Sequence, residues 1–144
     1  MSAKPRLVVP EEPDDVLCKV PTFPLLDCRE VEAVCTKIED TFFGGWGQYK
    51  WRFWFRVVSP EQYSGMMLEM WVHHKDGWKR KGVPRASKLY KLLPVFGSEA
   101  VRGGSLLKSG IVGSAFRCRV HTTKDKDTGA EYSGIDILFE RLTG

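Results

Sequence analysis

From Tyr49 to Val57 the side chains alternate: Tyr49, Trp51, Phe53, Phe55 and Val57 fall on one face, and Lys50, Arg52, Trp54 and Arg56 on the other. Period-two alternation with so many aromatics predicts a β-strand, since a helix would scatter the arginines around its circumference. After a break at Pro60 to Gly65, Leu68, Met70 and Val72 form a second apolar set, and Glu69, Trp71 and His73 point the other way. Paired as a hairpin, the two strands place Trp51, Phe53, Phe55, Leu68 and Met70 in a core. The opposite surface then carries Trp54 and Trp71 among Lys50, Arg52, Arg56 and His73.

The flanking segments fill out an all-antiparallel pattern. Cys28 to Asp40 has apolar positions at Val31, Ala33, Val34, Cys35 and Ile38 that suit a strand or a short helix equally. Its direct run through Gly44, Gly45 and Gly47 into the strongest strand decides for a strand, with Phe42, Phe43 and Trp46 near the loop as plugs for one end of a barrel. Downstream, Asp76-Gly77 predicts a turn and Pro84 the end of an irregular basic loop. Ser87 is placed to cap a helix over Lys88 to Phe96, with Leu89, Leu92, Leu93 and Phe96 on one face and Pro94 keeping it short. Gly97 to Gly113, anchored by Val101, Leu106, Leu107, Ile111 and Val112, is left between a loop and a further helical turn.

Two last strands follow. Phe116, Cys118 and Val120 face opposite to Arg117, Arg119 and His121, then Ile135, Ile137 and Phe139 opposite to Asp136, Leu138 and Glu140. Residues 1–27, rich in proline and acid, predict an extended arm that packs loosely. Its EEPDD stretch suits a solubilising tail better than a mask over a cationic groove. Residues 28–144 form the domain. The order strand, strand, strand, helix, strand, strand predicts a mostly β fold, a five-stranded OB-fold-like barrel with one short helix between strands 3 and 4.

Composition narrows the function classes. A chain of 144 residues fits one domain, and no apolar run approaches the roughly 18 residues of a membrane span. The start lacks a secretory signal, so the expected location is cytoplasmic, with no membrane partner. Cys18, Cys28, Cys35 and Cys118 show no metal-ligand spacing and are expected to be free, buried thiols, with no metal and no cofactor. The net charge is only +4, but residues 1–40 hold nine acids against five bases, whereas Lys75 to Lys91 holds seven bases against Asp76. A basic segment beside a basic, aromatic sheet face is the footprint of a polyanion partner.

The expected ligand is single-stranded DNA, or RNA, which the sequence does not distinguish. Bases would stack on Trp54 and Trp71, and phosphates would meet Lys50, Arg52, Arg56, His73, Lys79, Arg80, Lys81, Arg85, Lys88, Lys91, Arg117 and Arg119. Each part has a plainer alternative. A second copy of the chain, or the arm, could cover the tryptophans; the arginines could equally be solvated or paired with Glu69, Asp136 and Glu140; and the basic loop could be merely solvated. Catalysis is not expected: His73 and His74 point to opposite faces, and no HExxH, GxSxG or phosphate-loop pattern occurs. The competing class is a protein-binding accessory or inhibitor module that uses the same aromatic face.

In layout the chain resembles the small single-stranded-DNA-binding proteins of phages, plasmids and other mobile elements. The likeness rests on YKWRFWFRVV, the lysine-bearing SKLYKLL, the glycine and basic strand of GSAFRCRV, and YSGIDIL, and spans about residues 30–142. It implies an OB-fold, low sequence specificity and a role in replication or recombination, with a replication or recombination protein as a further partner. Bacterial relatives of that class usually end in an acidic, aromatic-tipped tail that recruits repair enzymes, whereas this chain ends in FERLTG, so recruitment through such a tail is not implied.

Overall fold

The structure is a computed structural model that describes residues 15–18, 24–43, 48–75, 78–124, 126–127 and 129–142. Strands β1 (Glu30–Phe43), β2 (Gln48–Ser59) and β3 (Met67–His74) are followed by a single turn α1 (Trp78–Lys81), helix α2 (Lys88–Phe96) and a small hairpin, β4 (Val101–Arg102) and β5 (Ser105–Leu106). Strands β6 (Ala115–Lys124) and β7 (Glu131–Arg141) complete the chain. The long strands make one antiparallel five-stranded sheet in the order β3-β2-β1-β6-β7.

The fold is mostly β, as expected, but the sheet is open. Among the described residues no hydrogen-bonded ladder joins β3 to β7, so the closed barrel of the sequence analysis is not found. The two edges nevertheless approach. A Cβ built on Gly134 would lie 3.2 Å from the Glu69 carbonyl oxygen, so a larger residue there would push β7 away from β3. The helix placement holds only roughly: α1 precedes α2, and the β4/β5 hairpin separates α2 from β6.

The odd face of β2 enters the core through Phe53, Phe55 and Val57, buried together with Leu68, Met70 and Val72 of β3, whereas Trp51, expected in the core, is half-buried and packs against its edge. Helix α2 lays Leu89, Leu92 and Phe96 on this surface. Phe96 stacks on Phe53 at 6.1 Å and meets Phe116 edge-on at 6.0 Å, giving one aromatic cluster that ties helix and sheet. The Ser87 hydroxyl accepts from the Tyr90 amide at 3.2 Å, capping the helix as predicted. Termination is not due to Pro94, which sits inside the helix; it comes at Gly97, whose φ of 77° leaves the helical region.

Bulges account for the faces that alternation misassigned. In β7, Ile137 pairs with Arg119 but Ile135 with Val120, so Asp136 is the extra residue; a second irregularity skips Phe139. Each inserted residue shifts the phase by one. Leu138 is therefore buried and Phe139 is exposed, the reverse of the expectation, and Ile137 is half-buried. A similar irregularity at Thr36 in β1 turns Lys37 and Glu39 outward after Cys35 has pointed in.

Residues 24–29, the end of the expected arm and the start of the expected strand, lie against the sheet. Leu26 is core; its amide donates to the Ser133 hydroxyl at 2.9 Å, and the Ser133 amide donates to the Pro24 carbonyl at 2.8 Å. The Tyr63 hydroxyl donates to the Asp27 carboxylate. Cys35 and Cys118 are buried thiols, but Cys18 is exposed and Cys28 half-buried, so burial of all four cysteines is corrected. Burial pushes both core thiols up to about 12, so they stay protonated and inert.

Candidate nucleic-acid interface

Register across β1, β2 and β3 sets the outward surface in rows: Lys37, Trp54 and Glu69; then Glu39, Arg52 and Trp71; then Thr41, Lys50 and His73; with Val34, Arg56 and Met67 at the far end. The alternation of β2 thus brings Trp54 and Trp71 onto one surface with Lys50, Arg52, Arg56 and His73. Both tryptophans are half-buried, and Arg56 and His73 are exposed.

At the centre of the face stands Arg52. Its guanidinium carbon lies 4.4 Å from the Trp71 ring centre and 5.2 Å from that of Trp54, with Lys50 Nζ 5.6 Å from the Trp71 ring. Glu69 Oε2 lies 3.3 Å from Arg52 Nε, and Glu39 Oε1 3.7 Å from its Nη1. Glu39 also accepts from Trp54 Nε1 at 2.8 Å and pairs with Lys37 at 3.2 Å. The Trp54 hydrogen bond, then that with Lys37, holds the Glu39 carboxyl below its ordinary range. Exposed ion pairs and cation–π contacts contribute only about 0–1 kcal/mol each, so this cluster chiefly fixes where the rings stand. Arg52 Nε is shielded from water, and no acceptor meets it with hydrogen-bond geometry.

The other predicted cations are placed unequally. Arg117 and Arg119 lie on β6, separated from the tryptophans by β1. Arg117 pairs with Glu32 at 3.4 Å and Glu140 at 3.3 Å, and Arg119 Nε and Nη2 reach Asp136 at 3.0 and 2.8 Å. The paired alternative is what the structure shows for Arg52, Arg117 and Arg119. Lys81, Arg85 and Lys91 are exposed, on α1, on the following loop and on α2. The backbone of Lys79 and Arg80 belongs to α1, a helical turn where an irregular loop was expected; their side chains, like Trp46 and those of Phe42 and Phe43, lie outside the described residues. Lys88 reaches back from α2 to donate to the Trp71 carbonyl at 3.3 Å.

Two features escaped the sequence reading. Glu39 shares the face because of the bulge at Thr36, a long-range register effect with no local signal. On the opposite surface a cavity of about 720 Å³ opens between Trp51, Trp78, Leu89 and Leu106. There His74 stacks on Trp51 at 4.0 Å and pairs with Asp40 at 2.9 Å, in line with the outward/inward alternation of His73 and His74. Among the described residues no group of three His, Cys, Asp or Glu side chains converges as metal ligands, and no helix is long and apolar enough to cross a membrane.

No protein-family model matches the chain, and comparison with curated proteins gives no match.

Proposed function

We propose that this protein binds single-stranded nucleic acid, DNA in the first instance, with little sequence preference and without catalysis, on the outward face of β2 and β3. The observation that carries this is the Arg52 guanidinium set against both Trp54 and Trp71. Half-exposed indoles held in place by a shared cation offer stacking surfaces to bases, and base–aromatic stacking is tolerant of sequence. Lys50 and Arg56 on the same strand supply charge for the backbone.

Connectivity supports the same reading. The order β3-β2-β1-β6-β7, with a helix after β3 and β7 drawn up to β3 at Gly134, is what a partly open OB-type barrel would have, and such barrels use the face of their second and third strands. A place in replication or recombination of a mobile element rests on the layout resemblance alone.

One observation favours a second reading. Glu39, Glu69, Glu32, Glu140 and Asp136 are interleaved with the arginines, and a sheet so balanced in charge also suits a protein partner, including a second copy of the chain. Fluorescence anisotropy with labelled oligo-dT and with a duplex of equal length separates the two. Stacking predicts that the single strand binds at least about tenfold tighter, since one stacked base is worth about 1–3 kcal/mol. Failure to bind either probe overturns the proposal and leaves the protein partner.

A further inference from the structure

Beside Trp71 the fold gathers three nitrogen groups from three elements. Lys50 on β2 and His73 on β3 are direct cross-strand partners on the outward face, and Lys88 on α2 anchors its ammonium on the Trp71 carbonyl at 3.3 Å. His73 is exposed, and its ring lies within electrostatic reach of both ammonium groups. We propose that Lys50, His73 and Lys88 form a phosphate subsite flanking the Trp71 stacking position, in which His73 binds as the imidazolium, so that strand binding tightens as the pH falls. This rests on the single-strand reading above.

The charges around His73 support it. From β2 it faces Lys50, and from α2 Lys88; the acid of β7, Asp136, acts on Lys88 and is itself held by Arg119. From β1 the row contributes Thr41, whose hydroxyl donates to the Lys50 carbonyl at 2.8 Å, while Asp40 faces the other surface and pairs with His74. Partial desolvation by its neighbours, then Lys50, then Lys88 hold His73 below its ordinary value, and the deeper burial of Lys88 lowers that ammonium as well. Two cations beside a histidine are an unfavourable place for a third positive charge until an anion arrives. A phosphate set among them would reverse the sign of the local field and restore the proton.

The linkage has a definite direction. A group whose pKa rises on binding strengthens binding as the pH falls through its bound value, and the gain levels off below its free value. The size is about tenfold in affinity for each pKa unit restored. Glu39, held low by Trp54 and Lys37, stays ionised through this window and does not imitate the effect.

The test is oligo-dT affinity from pH 7.5 to 5.5 at constant ionic strength, for the native chain, His73→Gln and His121→Gln, together with NMR titration of the His73 ring with and without oligo-dT. The native chain and His121→Gln should tighten severalfold towards pH 5.5, His73→Gln should stay flat, and oligo-dT should move the His73 midpoint upward. If oligo-dT binds but affinity is flat with pH, if His73→Gln keeps the pH dependence, or if the His73 midpoint does not move, the subsite is overturned and the stacking face stands. If oligo-dT does not bind at any pH, both fall. Should His73→Gln fail to fold, the ring titration of the native chain decides.

Discussion

The Arg52 guanidinium lies 4.4 Å from the ring centre of Trp71, its direct partner across β2 and β3, while Glu39 and Glu69 flank it at 3.7 and 3.3 Å. One cation thus organises two rings and two acids. Removing it should hurt twice, by loosening the rings and by taking away the charge that offsets Glu69 and, together with Lys37, Glu39. Arg52→Ala should therefore weaken oligo-dT binding more than Arg56→Ala, whose cross-strand row of Val34 and Met67 holds no acid. Glu39→Gln with Glu69→Gln should instead strengthen binding, by up to about 1 kcal/mol for each like charge removed near a phosphate. Equal affinities in all these variants, measured by anisotropy, would mean that the face is not in contact with the strand.

Trp54→Ala and Trp71→Ala should each lose about 1–3 kcal/mol of oligo-dT affinity per stacked base. Their thermal melts should move little, because both rings stand outside the buried core. A variant that melts early yet binds normally once folded would reverse the roles assigned to the two faces.

Phe53 is the opposite case. It is buried against Phe96 and Phe55, at 6.1 and 6.5 Å between ring centres, so Phe53→Ala should cost roughly 3–5 kcal/mol of stability in denaturant unfolding. An unchanged unfolding midpoint would contradict the core assignment.

How far these assignments could be seen beforehand depends on the element. The faces of β2 and β3 were legible because both strands alternate without interruption through Tyr49 to Val57 and Leu68 to His73, and helix α2 because Ser87 and the leucine spacing mark it. Bulges at Thr36, Asp136 and Phe139 were not legible, since an inserted residue is defined by the partner strand rather than by its own side chain. For the same reason the pairing of Arg52 with Glu39, thirteen positions earlier in the chain, had no local signal. The two edges, β3 and β7, approach each other, closely at Glu69 and Gly134, without a hydrogen-bonded ladder, an arrangement set by tertiary packing.

Arg141 illustrates another such long-range contact. Its Nη1 donates to the Phe96 carbonyl at 2.6 Å, and its Nη2 to the Gly110 carbonyl at 3.0 Å and the Ser114 hydroxyl at 2.7 Å. The guanidinium also lies 5.4 Å from the Phe116 ring centre, closing the end of α2 onto β7 and β6. Arg141→Met should destabilise the fold by several kcal/mol, since each polar group left buried without a partner costs about 1–3 kcal/mol. Denaturant unfolding measures this, and a change below about 1 kcal/mol would show that water replaces the arginine.

The central claim, that a strand of nucleic acid stacks on Trp54 and Trp71 while its phosphates meet the cations around them, is tested most directly by tryptophan fluorescence during titration with oligo-dT across a range of salt concentrations. Stacking predicts quenching that saturates, with Trp71→Ala removing part of it. Phosphate contact predicts a log–log affinity slope of about −0.7 for each phosphate neutralised, made shallower by about that step in Lys50→Ala. Unquenched fluorescence, or an affinity that does not respond to salt, would contradict the account and assign the face to a protein partner.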